Sequence, residues 1–385
     1  MQILALAARG TLDLVAAECR ALQLPIVGTT SEGVDMELNA AQIARGLVHL
    51  RIATRLLLRL GGFEARDGES LYEGASTIRW TDWLDADSTF AVHASGDLIA
   101  PADGRRGLDN HIFVALRVKD ALADQLTHVH GRRPNVDRDD PEVRIVVRGR
   151  AGKWQIFLDL SAPPLHQRGF RVQPGPAPLK ETLAAAVVEC VDWRGAGRLH
   201  DPMCGSGTLI IEALNRHLGI APGCTRWFGV ERWPHHGAEL QRLLDAEREA
   251  AQAHAETAIA SARGLDVLAS DIDPNSLAAA RANLTMAGLQ DLVRVQQVDA
   301  LKLPVPPPGT VLVANPPYGE RLGGSEVTGF YRALGRAWRG FPRTMAHIID
   351  GNPDFVSAFG LRADAERKLW NGPIAVTLRR YPLGG

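Results

Sequence analysis

The chain has 385 residues, 45% hydrophobic and 23% charged, with a formal net charge of −1; that length suits two or three domains, and the balance excludes attraction of a polyanion by overall charge, so any nucleic-acid contact must come from local patches. Its four cysteines, Cys19, Cys190, Cys204 and Cys224, make no Cys-x-x-Cys pair, which excludes a zinc knuckle or disulfide framework and fits a reducing, cytoplasmic compartment. Arg9 and Asp13 interrupt the first apolar run, and no run of about 18 apolar residues follows, so neither a signal peptide nor a membrane span is expected.

In chain order, Ile3–Leu6 reads as a strand and Leu12–Leu22 as a helix. Val34, Met36 and Leu38 alternate with polar residues as a half-buried strand does. Ala40–His49 reads as a helix, and Arg51–Phe63 as a strand ending at Gly61-Gly62. A strand at Thr89–Ser95, a long helix from Asn110 to about His130, and two strands, Val143–Arg148 and Lys153–Leu160, joined by a Gly149–Gly152 turn complete an α+β pattern. His128 and His130 then lie at a helix end, where the dipole favours them. Ser161–Pro178 contains Pro163, Pro164, Pro174, Pro176 and Pro178 and reads as an extended linker.

From Lys180 onward helices and strands alternate: Lys180–Val191, strand Gly197–Asp201, helix Thr208–Leu218, strand Leu265–Asp271, helix Asn275–Ala287, then strands Val293–Gln297, Thr310–Ala314 and Thr344–Ile349. This predicts a doubly wound, mostly parallel sheet. Asn371-Gly372-Pro373 between β-runs predicts a hairpin, hence an antiparallel last strand. Leu240–Ala262, rich in Ala, Glu, Arg and Gln, reads as a helical insertion that Glu231 would begin.

Strand Arg198–His200 runs into Asp201-Pro202-Met203-Cys204-Gly205-Ser206-Gly207-Thr208. Gly205 and Gly207 permit a tight turn beneath a ligand. The pattern is neither a phosphate-cradling P-loop nor G-x-G-x-x-G, and Asp201 would repel a phosphate while suiting a cationic group such as a methionine amine. Cys204, inside the loop, reads as a small packing residue. Ligands of open α/β sheets bind outside the carboxyl ends of strands. Asp271 ends the next strand, placed to accept ribose hydroxyls; Asp273 suits a helix cap; Asp299 ends the following strand, placed to accept from an adenine amine. Glu231 is nearer the usual acid spacing, yet the strand–helix–strand unit runs on cleanly from Asp271.

Val311–Ala314 leads into Asn315-Pro316-Pro317-Tyr318. Consecutive prolines fix the backbone and leave only acceptors. The Asn315 side-chain oxygen and the Pro316 carbonyl would accept from an exocyclic amine, with Tyr318 stacking on a flipped base. Such an amine is a poor nucleophile, and two acceptors bias it toward tetrahedral geometry and stabilise developing charge. Taken alone, the same residues suit a stiff surface turn.

These features resemble class I S-adenosylmethionine methyltransferases acting on exocyclic amines, and more narrowly bacterial THUMP-domain enzymes that make N2-methylguanine in 23S ribosomal RNA. The resemblance is carried by Leu165–Arg171, Ala177–Ala184, Asp201–Thr208, Ser270–Asp273 and Asn315–Leu322. It implies a seven-stranded methyltransferase domain over residues 180–385, a linker over 161–179, a THUMP RNA-binding domain over 43–160 and a ferredoxin-like piece over 1–55. It further implies cofactor contacts from Lys180, Thr182, Asp201, Pro202, Cys204, Gly205, Gly207, Thr208, Asp271, Ile272, Asp299, Ala300 and Asn315, and a target base held by Asn315 through Tyr318, with no metal. Some family members carry a second methyltransferase domain; with this chain ending at Gly385, one activity is expected. The expected partner is 23S rRNA or a precursor ribosomal particle, contacted by basic residues among Arg105, Arg106, Arg117, Lys119, Arg132, Arg133, Arg144, Arg148 and Arg150. Rival expectations are the same chemistry on a tRNA guanine or an adenine amine, a small-molecule methyltransferase, and a non-catalytic RNA-binding or assembly factor.

Overall fold

The computed structural model describes residues 1–101, 107–172, 179–235, 237–317 and 324–384. The N-terminal elements are β1 (Gln2–Leu6), α1 (Leu12–Ala21), β2 (Ile26–Thr29), β3 (Gly33–Glu37), α2 (Ala40–His49), β4 (Arg55–Glu64), α3 (Gly68–Ser76), β5 (Thr89–Gly96), α4 (His111–His130), β6 (Asn135–Val136), β7 (Val143–Arg150) and β8 (Lys153–Asp159). They form one eight-stranded sheet in the order β2-β3-β1-β4-β8-β7-β5-β6. Strand β4 pairs antiparallel with both β1 and β8, so the ferredoxin-like piece and the following unit share a continuous sheet. Helix α4 buries Val114, Val118, Ala121, Leu122 and Leu126, the stripe its spacing dictates. Sequence reading missed α3, whose start is a capping box between Asp67 and Ser70. It also began β4 at Arg51, four residues before the strand does.

The second half comprises α5 (Glu181–Val191), β9 (Arg198–Asp201), α6 (Thr208–His217), α7 (Ala238–Ser261), β10 (Asp266–Asp271), α8 (Pro274–Met286), β11 (Arg294–Gln297), β12 (Val311–Ala314), α9 (Gly324–Trp338), β13 (Thr344–Asp350), α10 (Phe355–Phe359), β14 (Ala365–Asn371) and β15 (Ile374–Leu383). Its seven strands run β11-β10-β9-β12-β13-β15-β14. The first five in that order are mutually parallel, and β15 is antiparallel to β13 and β14, as the alternation and the Asn-Gly turn predicted. The inserted helix α7 begins at Ala238, while Glu231 lies in a separate 3-10 turn, Gly229–Arg232.

The proline-rich stretch is not extended where it is described. The Arg226 guanidinium donates to the carbonyls of Ser161, Pro163, Pro164 and Gln167, and Leu165 and Phe170 are buried. One side chain thus satisfies acceptors that would otherwise favour an open, solvated chain. Next to it, Arg168 Nε lies 2.8 Å from Glu212 Oε1 of α6, the two side chains being 2% and 0% exposed. Arg168 also donates to the Arg51 carbonyl at 2.6 Å, and Arg51 donates to the Asn215 carbonyl at 2.8 Å. A second junction joins distant parts of the chain: Arg367 of β14 makes paired contacts of 2.9 and 2.6 Å with Asp13 of α1 and donates to the Gly10 carbonyl at 2.9 Å. Gly10 has φ +83°, and a Cβ there would meet the Lys368 carbonyl oxygen at 2.2 Å. Among the described residues no helix is long and apolar enough to cross a membrane.

His200 of β9 is 5% exposed, its ring nitrogen 2.8 Å from Ser270 Oγ. Burial pushes its pKa from 6.5 down to about 4. The unfolded chain therefore takes up a proton that the folded chain refuses, so this contribution to stability is whole above pH 6.5 and is lost as pH falls toward 4. His347 is shifted the same way, to about 4. The urea midpoint should fall across this window, and His200→Gln should flatten part of the fall; an unchanged slope would remove His200 as a source.

Candidate active site

The carboxyl ends of β9, β10, β11 and β12 meet at a cavity of about 460 Å³ lined by Pro202, Met203, Gly205, Asp271, Ile272, Ser276, Asp299, Ala300, Leu301, Asn315, Pro317 and Phe330. The strand order explains the opening: β10 and β12 flank β9 on opposite sides, so the connections leaving β9 diverge and a crevice forms between them. Gly205 (φ +52°) and Gly207 (φ +82°) hold the left-handed backbone that turns the chain into α6.

Asp271 organises this loop. Its Oδ2 accepts from the Gly205 amide at 2.9 Å and its Oδ1 from the Asp273 amide at 3.0 Å. Each oxygen keeps a further lone pair for a ligand hydroxyl. The Cys204 amide donates to the Ser270 carbonyl at 2.9 Å, tying the loop to β10 a second time. Asp273 caps α8 by accepting from the amides of Asn275 and Ser276. Asp201 is placed differently from Asp271. It is 1% exposed, accepts from the Met203 amide at 3.1 Å, and does not line the cavity. Burial pushes its pKa well above the carboxylate range, and the negative Asp271 pushes the same way. The Cys204 thiol, also buried, is raised well above its usual value, which suits packing and not nucleophilic attack.

Asp299 reaches the cavity and accepts from the Leu301 amide at 2.9 Å. Beside it Ile272, 63% exposed, and Ala300 offer an apolar wall for a flat ring. Asn315 follows β12, and its Oδ1 is buried with no hydrogen-bond partner among the described residues. The Pro317 carbonyl accepts from Tyr331 Oη at 2.6 Å. Tyr318 lies outside the described residues, as do Arg105 and Arg106.

Other predicted residues do not line this cavity. Thr208 opens α6 and its Oγ1 accepts from Arg171 at 3.1 Å. Thr182 is buried within α5, and Lys180, just before it, lines a separate cleft. Glu231 accepts from the Phe228 amide at 2.6 Å and from Arg248 at 2.8 Å, away from the cavity. Of the basic candidates, Arg117, Lys119 and Arg133 pair with Asp120, Arg132 with Asp87, and Arg148 with Glu32. Among the described residues no group of three or more His, Cys, Asp or Glu side chains could hold a metal ion.

Tyr331 was not anticipated. It stands on α9, fully buried, edge-on to Phe355 with ring centres 4.7 Å apart. The available signal was the spacing of Val327, Tyr331, Leu334 and Trp338, all buried.

Left-handed glycines after one strand, a carboxylate ending the next, another acid after the third and a stiff Asn-Pro-Pro turn after the fourth make this the strand-end pocket of a doubly wound methyltransferase fold. The chain belongs to the RMKL-like methyltransferase family: residues 168–380 match that domain, and residues 65–159 match the THUMP domain. The ribosomal RNA large subunit methyltransferase K/L of Photobacterium profundum is 35% identical over 390 residues, covering 99% of this chain and 52% of that protein. The chain thus spans about half the length of the curated relatives it matches. Among solved structures, a protein described as a putative methyltransferase, complexed with SAH, superposes with TM-score 0.83 at 29% identity, covering 99% of this chain and 98% of that one. A protein from Listeria monocytogenes described as a predicted N6-adenine-specific DNA methylase gives 0.83 at 28% identity, covering 99% and 96%.

Tyr331→Phe should lower stability by about 1 kcal/mol, the worth of one ordinary hydrogen bond. With the Pro317 carbonyl released, the urea midpoint should fall accordingly; an unchanged midpoint would show that the Tyr331 hydroxyl does not hold the turn.

Proposed function

We propose that this chain transfers a methyl group from S-adenosylmethionine to the exocyclic N2 amine of a guanine in RNA, with large-subunit ribosomal RNA as the substrate and the cytoplasm as the setting. The observation that carries this reading is the Asn315 Oδ1 at the strand-end cavity, buried and without a hydrogen-bond partner among the described residues. A buried acceptor without a donor is costly, roughly 1–3 kcal/mol, and an amine N–H of the substrate would satisfy it. The name of the Photobacterium relative and the THUMP match favour ribosomal RNA.

The residues present fit the cofactor. Asp271 has lone pairs for two ribose hydroxyls, Asp299 for an adenine amine, and Ile272 with Ala300 and Phe330 gives the ring an apolar bed. The methionine end would lie against the loop of Pro202, Cys204, Gly205, Gly207 and Thr208, with Asp201 beneath as its buried support. The cofactor supplies an electrophilic methyl group on sulfur. The protein's part is to present the nucleophile: Asn315 Oδ1 accepts one amine hydrogen, the rigid Pro316-Pro317 backbone supplies further acceptor capacity, and the nitrogen lone pair is turned from the ring toward the methyl. No covalent step on the protein is needed.

Purified protein should place tritiated methyl label in 23S RNA from a strain lacking the gene, recovered as N2-methylguanosine. Label in tRNA, or on adenine in DNA as the Listeria protein's description suggests, would overturn the substrate. No label in any RNA or DNA despite bound cofactor would overturn the activity. Asn315→Ala should slow transfer on the order of 10²-fold, as loss of one preorganised polar contact does, with the cofactor dissociation constant nearly unchanged.

A further inference from the structure

A second cleft, about 690 Å³, lies between the clasped stretch near His166, the residue Lys180 before α5, and Trp227. It reaches the glycine loop through Arg171, which lines it and donates to Ser206 Oγ at 3.3 Å and Thr208 Oγ1 at 3.1 Å. The cleft's charges do not cancel. Arg168 is answered by Glu212 and Arg171 by Glu181. Arg226 meets carbonyl oxygens, not a carboxylate. Among the described residues neither Lys180 nor Arg226 makes an ion pair, and Asp159 and Glu231 act on Arg226 only from a distance. His166 responds to this field: burial, and then the cations Lys180, Arg55, Arg168 and Arg226, press its pKa from 6.5 down to about 4, so it stands there as a neutral ring.

The rim carries an aromatic surface. Trp227 is 50% exposed, with the Arg232 guanidinium 5.8 Å from its ring centre. Arg232 is itself anchored to Asp140 at 2.5 Å, just ahead of β7, so the indole stands where the two sheets' domains adjoin. An uncompensated cationic groove with an exposed aromatic ring is the combination that holds single-stranded nucleic acid: the groove takes the backbone and the ring takes a base. The reaction cavity supplies the complementary reason. Its lining includes Asp271 and Asp299 and, among the described residues, no Lys, Arg or His. A base can enter it, but a phosphate is repelled, so the strand's phosphates need another path beside the glycine loop.

We propose that this cleft holds an unpaired nucleotide of the RNA strand adjoining the target, with its phosphate on Lys180 and its base stacked on Trp227. The inference rests on RNA being the substrate. It moves Lys180 from the cofactor to the nucleic acid.

The test uses the full chain, an unpaired fluorescent oligoribonucleotide followed by anisotropy, and S-adenosylhomocysteine followed by calorimetry. Trp227→Ala should weaken RNA binding about ten-fold, the range of one base-stacking contact, and Trp227→Phe should restore most of it. Lys180→Gln should reduce the slope of log affinity against log salt by about 1. Neither should change S-adenosylhomocysteine affinity. Wild-type RNA affinity in both Trp227→Ala and Lys180→Gln, or a loss of S-adenosylhomocysteine affinity in Lys180→Gln, overturns the assignment even while the wild type methylates RNA. Failure of the functional reading shows separately, as a wild type that methylates no RNA.

Discussion

Arg168 is a guanidinium in a place nearly closed to water, and everything around the glycine loop is arranged to keep it there. Its partner Glu212 belongs to α6, the helix that the loop opens into, and its second contact is the backbone of Arg51 between α2 and β4. Removing one member of such a pair leaves a bare buried charge, at a cost of roughly 3–5 kcal/mol. The pair fixes the stretch after β8 against both α6 and the N-terminal sheet. That in turn places Arg171 on Ser206 and Thr208, so the turn carrying Gly205 and Gly207 is held from outside by Arg171 and from inside by Asp271.

The fold separates charge across that turn. Carboxylates gather on the strand-end side, because they serve as acceptors for backbone amides left open where strands stop and helices start: Asp271 for Gly205 and Asp273, and Asp299 for Leu301. On the other side Arg226 is held by carbonyls of the proline-rich stretch, while Arg168 and Arg171 are held by Glu212 and Glu181. The carboxylates of the cavity and Arg226 of the cleft thus serve backbone groups before any ligand is considered.

Much of this was legible in the sequence. Strand ends that finish in an acid or an asparagine after an apolar run, as at Asp271, Asp299 and Asn315, show in local pattern. The mostly parallel sheet and its antiparallel last strand follow from the alternation and one hairpin turn, while the count of seven strands came with the family resemblance and the strand order from neither. What stayed hidden depends on contacts between distant residues. Nothing near Arg226 announces that it gathers carbonyls about sixty positions earlier in the chain, so the proline stretch read as extended. Gly324, Gly329 and Gly335 lower helix propensity and hid α9, although Gly335 is needed there, since a Cβ would meet the Phe359 carbonyl oxygen at 1.9 Å. With α9 unseen, Tyr331 and its bond to Pro317 were unseen too. Lys180 was expected from the resemblance and Asp201 from its charge at a strand end; Lys180 lines the second cleft and Asp201 is buried behind the loop.

The bond between Arg367 and Asp13 spans 354 positions, and it lies apart from the junction made by Arg168 and Arg51. A single junction would serve as a hinge, about which one sheet could swing against the other. Two fastenings that share no residues oppose that swing at two separate points, the exposed Arg367–Asp13 pair more weakly than the buried Arg168–Glu212 pair. Under the function proposed above, a substrate held by the N-terminal sheet would have to bring its target to the cavity by its own bending.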